Sequence, residues 1–577
     1  MIFQLKTRIA LAGLSALAML SACGGSNTPS GERPAAGFVL ASGNVASAEP
    51  NVARPAAPAC VVPLFEEQTF NNFASHPFNY NATCSGPWEK VVLEADFSVT
   101  AGRQFDRTGH ISIGGINLYT GTTQEPSATV GPNWHIERDV TDYAPLFVRP
   151  ELGSVDLDNL VNDTFTGVLK GSARLVFYPL INPNFKPRAA DWVLSLSSRT
   201  DGRPDVITAE QTSLSKTLRL PRNVLRAYLD VVAQGQADDE FWWSCAPDSL
   251  TDPLQTCGGT ALREVQVMID NQMAGVAPAY PWVFTGGVNP RLWRPLPAVQ
   301  TLNFRPYRVD LSPFAGVLSD GATHSVSLSV FNARNSFNIT GNLLLFLDPQ
   351  AVNVKGGLIS NNLSAPAAPQ IDNKIVTSAS GDVKGQLGVA SSKSFRIVGY
   401  VEGSQGREEL SVTQTMSFTN SQLYTAVDNN FVQMTRVETT SSVSSPAGST
   451  SLTRQFSFPF SFLINSSNGT RFDTDLGYRE AQSYQHLGVN VYRSLIDDNV
   501  KSVTSSSGSP AVTTNNSSHH YLQQDENGGC FERNLTSSAA LLTAATDNIR
   551  CDSAPLGSKP WGKLPSAALD LWLTLGH

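Results

Sequence analysis

"VVLEADFSV", residues 91–99, alternates so that Val91, Leu93, Ala95, Phe97 and Val99 fall on one face of an extended chain. The same period of two recurs in "REVQVMID" (263–270), where Val265, Val267 and Ile269 share a face and Glu264 points the other way. It recurs again in "HSVSLSVF" (324–331), with Val326, Leu328 and Val330 aligned. Beyond the first 23 residues no helical periodicity lasts more than a few turns. The fold class is therefore all-β.

Two stretches share a design of short strands, long polar loops and a closing apolar strand. One is 60–183, ending in "ARLVFYP"; the other is 184–363, whose closing strand is "GNLLLFLD". Such segments predict two jelly-roll-like antiparallel β-sandwiches packed side by side. "SAPAAPQIDN" (364–373) reads as a linker, and 374–577 as a β-rich accessory region in which "SAALLTAATDNI" (538–549) suggests a short helix. Residues 24–59, rich in Pro, Ala, Ser and Gly, read as a disordered tether.

At 577 residues the chain is too long for a single core. Only 16% of residues are charged, and the net charge of −8 is spread without blocks, which offers no attraction for nucleic acid. Lys6 and Arg8, the apolar run Ile9 to Leu20 and "LSAC" (20–23) make a signal peptide, too short to span a bilayer stably. "LSAC" resembles a bacterial lipobox with Cys23 as the lipidated residue; Gly24 after it favours the outer membrane. Export leaves six further cysteines, and neighbours in sequence suggest the disulfides Cys60–Cys84, Cys245–Cys257 and Cys530–Cys551 out of fifteen connectivities.

There is no G-x-S-x-G elbow, P-loop, G-x-G-x-x-G or H-E-x-x-H. What stands out is acids beside aromatics. "ADDEFWWSC" (237–245) sets Asp238, Asp239 and Glu240 before Phe241, Trp242 and Trp243, either a solvated acidic turn ahead of core tryptophans or a sugar-binding loop with a raised carboxyl pKa. "FTGGVNPRLWRP" (284–295) places Trp293 between Arg291 and Arg294 after the pair Gly286–Gly287. "FDR" puts Asp106 and Arg107 at the mouth of a strand, a surface ion pair or half of a catalytic site.

Six ordered segments, "GRQFDR" with "IGGINLYTGTTQEPS", "WHIERDVTDY", "DDEFWWS", "REVQVMIDN", "WVFTGGVNPRLWRP" and "YRVDLSPFAGVL", resemble the acid-active peptide-N4-(N-acetyl-β-glucosaminyl)asparagine amidase A family. The first half also faintly resembles the flavobacterial peptide:N-glycanases, built from two jelly rolls with the site at their interface. The resemblance implies hydrolysis of the amide between Asn and the innermost sugar of N-glycosylated proteins or glycopeptides, without metal or organic cofactor. It implies Asp106 as the base and Arg107 as its partner, with Asp163 of "VNDTF" at the place of a second acid. Where the flavobacterial pattern has a third acid this chain has Gly259–Thr260 before Arg263, so Glu240 or Glu264 is expected to serve. Trp242, Trp243 and Trp293, with Asp239 and Arg263, are the expected sugar-binding residues. An endoglycosidase and a non-catalytic glycan-binding surface lipoprotein are the competing readings. The chain is expected to be a monomer touching a membrane only through its lipid.

Overall fold

The computed structural model describes residues 31–181, 189–425, 430–446, 448–465, 471–505, 512–525 and 529–551. The alternating stretch lies in the strand Trp88–Val99, and its five apolar residues all enter one core. That core is closed by two four-stranded sheets. The first runs in the order Cys60–Phe70, Leu169–Pro179, Trp88–Val99, Asn133–Asp139; the second His76–Tyr80, Glu151–Leu157, Thr108–Ile113, Ile116–Thr122. Eight strands exchanged between two sheets in this order make a jelly roll.

The second sandwich repeats the order. Trp192–Ser195 with Asp205–Ile207, then Ser336–Leu347, Val224–Gln236 and Tyr307–Asp310 form one sheet; Ser213–Arg219, Thr323–Phe331, Glu264–Ile269 and Gln272–Pro278 form the other. Val265, Val267 and Ile269 meet Val326, Leu328 and Val330 in its core. Each loop of the first sandwich therefore has a counterpart in the second.

A buried ionic cluster joins the two. Arg308 of the second sandwich donates Nε and Nη2 to Asp230 (both 2.6 Å) and Nη1 to Asp142 of the first (2.6 Å). The Tyr143 hydroxyl reaches across to Asp230 as well (2.8 Å). Further along the seam Tyr119 donates to the Leu302 carbonyl (2.6 Å), Phe304 N to Thr120 O (2.8 Å) and Thr122 N to Thr301 O (2.8 Å).

The region beyond 350 is more than an accessory. Long antiparallel strands from Val383–Gly403 to Leu541–Asn548 build one broad meander, edged by Lys355–Asn361 at one side and by the N-terminal strand Glu32–Pro34 at the other. Its apolar face, with Phe418, Phe456, Phe458 and Phe460, joins the core of the second sandwich. Polar residues on that face grip loop carbonyls: Asn420 Nδ2 holds Trp243 O (3.0 Å), Gln422 Nε2 holds Cys245 O (3.3 Å), and Asn515 Nδ2 holds Arg291 O (2.7 Å) and Arg294 O (3.0 Å).

Three local expectations are corrected. Residues 31–59 lie against the body instead of forming a free tether: Ala46 and Ala48 are buried, Arg54 pairs with Glu94 and Glu137, and Glu49 pairs with Arg305. The linker stretch contributes the strand Gln370–Asn373, which pairs with Val383–Gly403. The expected helix at 538–549 is a hairpin whose turn residues Ala539 and Ala540 adopt positive φ (52° and 65°), as a two-residue turn between twisted strands requires. Asn515 braces that turn by accepting from Ala540 N (2.8 Å). The disulfides Cys60–Cys84, Cys245–Cys257 and Cys530–Cys551 are formed. Cys23 lies outside the described residues.

The Arg308 cluster generates a stability prediction. Arg308→Met leaves Asp230 and Asp142 buried without their cation, and should cost about 3–5 kcal/mol, read as a lower midpoint in urea unfolding.

Candidate active site

Asp106 sits in the loop between Trp88–Val99 and Thr108–Ile113. It is half-buried, with its carboxyl in the seam between the sandwiches. The Gly286 N–H of the second sandwich and the Asp106 N–H are directed at that carboxyl. Burial raises its pKa, against the lowering effect of those two N–H groups and of Arg107. Gly286 leaves room for both acids: a Cβ there would press on Asp106 Oδ1 and Glu125 Oε1 together, and the carboxyls would have to shift. Both carboxyls thus lie against one Cα.

Glu125, in the loop after Ile116–Thr122, is the residue that sequence reasoning missed. Its Oε1 accepts from Asp106 N (3.2 Å), and its side chain is buried. Burial and the Asp106 charge push it up to about 8. It stands inside the quoted segment "GTTQEPS", so its signal was a lone acid in an otherwise uncharged run. The backbone around it is stitched across the seam: Thr285 Oγ1 donates to Thr123 O, Gln124 Nε2 to Trp293 O (2.9 Å), and Arg294 to the carbonyls of Glu125 and Pro126.

Glu240 comes from the other sandwich and lies close enough for the Asp106 charge to act on it. It follows the short turn Ala237–Asp239 in the loop after Val224–Gln236, the counterpart of the loop that carries Asp106. It is half-buried; burial first and the Asp106 charge second push it up to about 7. Arg107 adds a cation. Its Nη2 donates to Gln104 (3.1 Å), while its buried Nε has no hydrogen-bond partner among the described residues. Beside it Phe105, 42% exposed, packs on Phe165 with ring centroids 5.1 Å apart. Asp106, Glu125, Glu240 and Arg107 together give a desolvated cluster of acids with one free donor and an aromatic rim. Such a set can activate water, hold a proton and stabilise a developing oxyanion.

Several expected site residues do other work. Trp242 and Trp243 are 2% and 1% exposed, and Trp243 packs edge-to-face on Phe458 (4.8 Å) from the C-terminal meander. Trp293 is buried with its Nε1 donating to Gly287 O (2.9 Å). None of the three presents a face to a ligand. Asp239 and Arg263 form a wholly buried pair (3.0 Å), and Asp239 Oδ2 also accepts from the backbone N–H groups of Arg334, Asn335 and Ser336. They anchor the loop that carries Glu240 and leave nothing for a sugar. Glu264 is buried and paired with Lys393. Asp163 is exposed on the loop bearing Phe165, outside the carboxyl cluster. A cavity of about 940 Å³ lies elsewhere, between residues 36–53, Tyr280, Arg305 and the meander around Glu480 and Tyr521.

The sequence profile of the family described as peptide N-acetyl-beta-D-glucosaminyl asparaginase amidase A matches residues 48–364. That of the PNGase_A C-terminal domain matches 387–460. The peptide-N4-(N-acetyl-beta-glucosaminyl)asparagine amidase A of Prunus dulcis is 29% identical over 411 residues, 66% of this chain and 70% of that one. Among solved structures, a recombinant peptide: N-glycanase F is 14% identical with a TM-score of 0.34, covering 50% of this chain and 96% of that chain. A structure of PNGF-II is 13% identical with a TM-score of 0.36, covering 50% and 66%. Scores this low leave the fold to rest on the strand order itself.

The burial of the indoles has a direct check. Trp243→Ala should cost about 3–5 kcal/mol of unfolding free energy, as for a large core aromatic, where an exposed platform residue would cost almost nothing.

Proposed function

Because the chain belongs to the peptide N-acetyl-beta-D-glucosaminyl asparaginase amidase A family, we propose that it hydrolyses the side-chain amide linking Asn to the innermost N-acetylglucosamine of N-glycosylated peptides and proteins. The observation that carries the reading is the convergence of Asp106, Glu125 and Glu240 from both sandwiches beside the free Nε of Arg107.

The chemistry follows from the groups. The Asp106 carboxylate takes a proton from water as its oxygen attacks the amide carbon. Negative charge moves to the carbonyl oxygen, where the Arg107 guanidinium stabilises it. Glu240, protonated below about pH 7, gives its proton to the amide nitrogen, and the C–N bond breaks. The peptide keeps an Asp side chain and the glycan leaves as its 1-amino form. Phe105, exposed where the tryptophans are not, and the half-buried Phe165 packed on it offer the flat surface for a sugar ring or a peptide side chain.

The targeting segment supports a second proposal. The chain is exported and anchored by lipid on Cys23, and it works as a monomer whose two sandwiches complete one site. Cys23→Ala should move the protein from the membrane fraction to the soluble one, and an unchanged distribution would refute the anchor.

A glycopeptide incubated with the purified protein should yield a peptide heavier by about one mass unit, as Asn becomes Asp. A cut within the glycan, leaving one sugar on Asn, would overturn the reading in favour of an endoglycosidase. Asp106→Asn should lower kcat by about 10²–10⁴, and Phe165→Ala should raise KM more than it lowers kcat. Since Glu240 acts in its protonated form, the rate should fall as pH rises through about 7, a step that Glu240→Gln removes along with most of the activity.

A further inference from the structure

Glu125 has no part in the steps above, yet it is a buried acid beside Asp106, 6% exposed. Its Oε1 faces the Asp106 N–H and lies with Asp106 Oδ1 against Gly286. The neighbouring cations make no ion pair with it. Arg294 spends its Nε and Nη2 on the carbonyls of Glu125 and Pro126, and Arg107 spends Nη2 on Gln104. Among the described residues no Lys or Arg forms an ion pair with the Glu125 carboxyl.

Two carboxyls pressed together in a desolvated seam do not both ionise; one keeps a proton. The geometry decides which. Asp106 has the Gly286 N–H directed at it and Arg107 adjacent, and these favour its anion against the burial that raises it. Glu125 is buried, lacks an ion pair and faces the Asp106 charge. Resting on the amidase reading, we propose that Glu125 is a positioning residue that stores a proton throughout the working range, its neutral carboxyl leaving the negative charge of the pair to Asp106. The charged groups facing the pair are Arg107 from the same loop, Arg294 from the loop of Gly286, and Glu240 across from Asp106, with Asp158 beyond Arg107.

The sign is set by the raised pKa. Glu125 stays neutral below about 8 and ionises above it, placing a second charge where the substrate's oxyanion must form. Activity is then lost in two steps above neutrality, through Glu240 first and Glu125 second, and log kcat/KM falls with a slope approaching two.

The test is Glu125→Gln, which keeps size and neutrality without a titrating proton. With a glycopeptide substrate its alkaline slope should drop toward one and its acid limb should stay in place. Its plateau should fall by less than about tenfold, short of the 10²–10⁴ lost with an acid–base group. An unchanged slope, a displaced acid limb, or a larger loss in a folded variant each overturns the proposal. A measurement without turnover separates it from the amidase reading: the infrared difference between wild type and Glu125→Gln at about pH 6 should show a lost protonated-carboxyl band. Loss of carboxylate bands instead refutes stored protonation, whether or not the glycopeptide is cleaved. If Glu125→Gln fails to fold, Asp106→Asn serves. There the protonated band should vanish at lower pH than in the wild type, because the neighbouring charge that raises Glu125 is gone; a band at unmoved pH counts against the pair.

Discussion

The guanidinium of Arg308 is the constraint from which the rest follows. It holds Asp230 with two nitrogens and Asp142 with a third, fixing the angle at which the sandwiches meet. A buried ion pair is weak evidence for stability, since desolvation offsets most of the Coulomb gain. Its value here is geometric. Planar, directional donors define one orientation, where an apolar interface between two smooth sheets would tolerate several. With that angle set, the segments 119–124 and 285–304 run side by side and exchange the hydrogen bonds that bring Gly286 onto Asp106.

The repeat explains why the acids converge. Asp106 and Glu240 occupy corresponding loops of two copies of one topology, and Glu125 and Gly286 occupy the next corresponding pair. Side-by-side packing of duplicated sandwiches brings matching loop ends together, and loops tolerate the change that each role demands. The C-terminal meander then acts as a clamp. Asn420, Gln422 and Asn515 satisfy loop carbonyls that an apolar sheet face would leave buried and unpaired. Such bonds cannot form with the second sandwich alone, so the meander belongs to the site's architecture although it contributes no group to the chemistry.

Period-two alternation made the two sandwiches legible, because every strand with one buried face must repeat at that spacing. The disulfides, each between neighbours in sequence, were legible for similarly local reasons, whereas Asp106 and Glu240 were singled out by the family resemblance and not by local pattern. What failed was non-local. Adjacent indoles look alike whether they face solvent or a core, and Trp243 is covered by Phe458, more than two hundred residues away. Residues 31–59 have the composition of a tether, but small Ala46 and Ala48 fit under a cover and Arg54 finds two carboxylates on the first sandwich. Alanines read as helix formers at 538–549 turn a hairpin because the strand Cys530–Ser538 and Asn515 supply partners a short helix lacks. Glu125 gave only the faint signal of a lone acid, because its meaning lies in its contact with Asp106 at the open end of a strand pair, 19 residues away in sequence.

Clustered acids are a burden on the fold that carries them. Each removes a well-hydrated carboxyl from water, and mutual repulsion adds to the cost whenever two are charged. Protonation relieves this for Glu125 and Glu240, but it leaves polar carboxyls in a site whose loops must not spread to admit more water. The hydrogen bonds from Thr122, Gln124, Thr285 and Arg294 oppose that spreading at the points flanking the acids. A seam stitched densely around an uncomfortable cluster is the pattern expected where local stability has been given up for pKa values spread across the neutral range. It places the molecule's stability and its chemistry at one interface, so that whatever loosens the sandwiches also returns the carboxyls to their ordinary acidity.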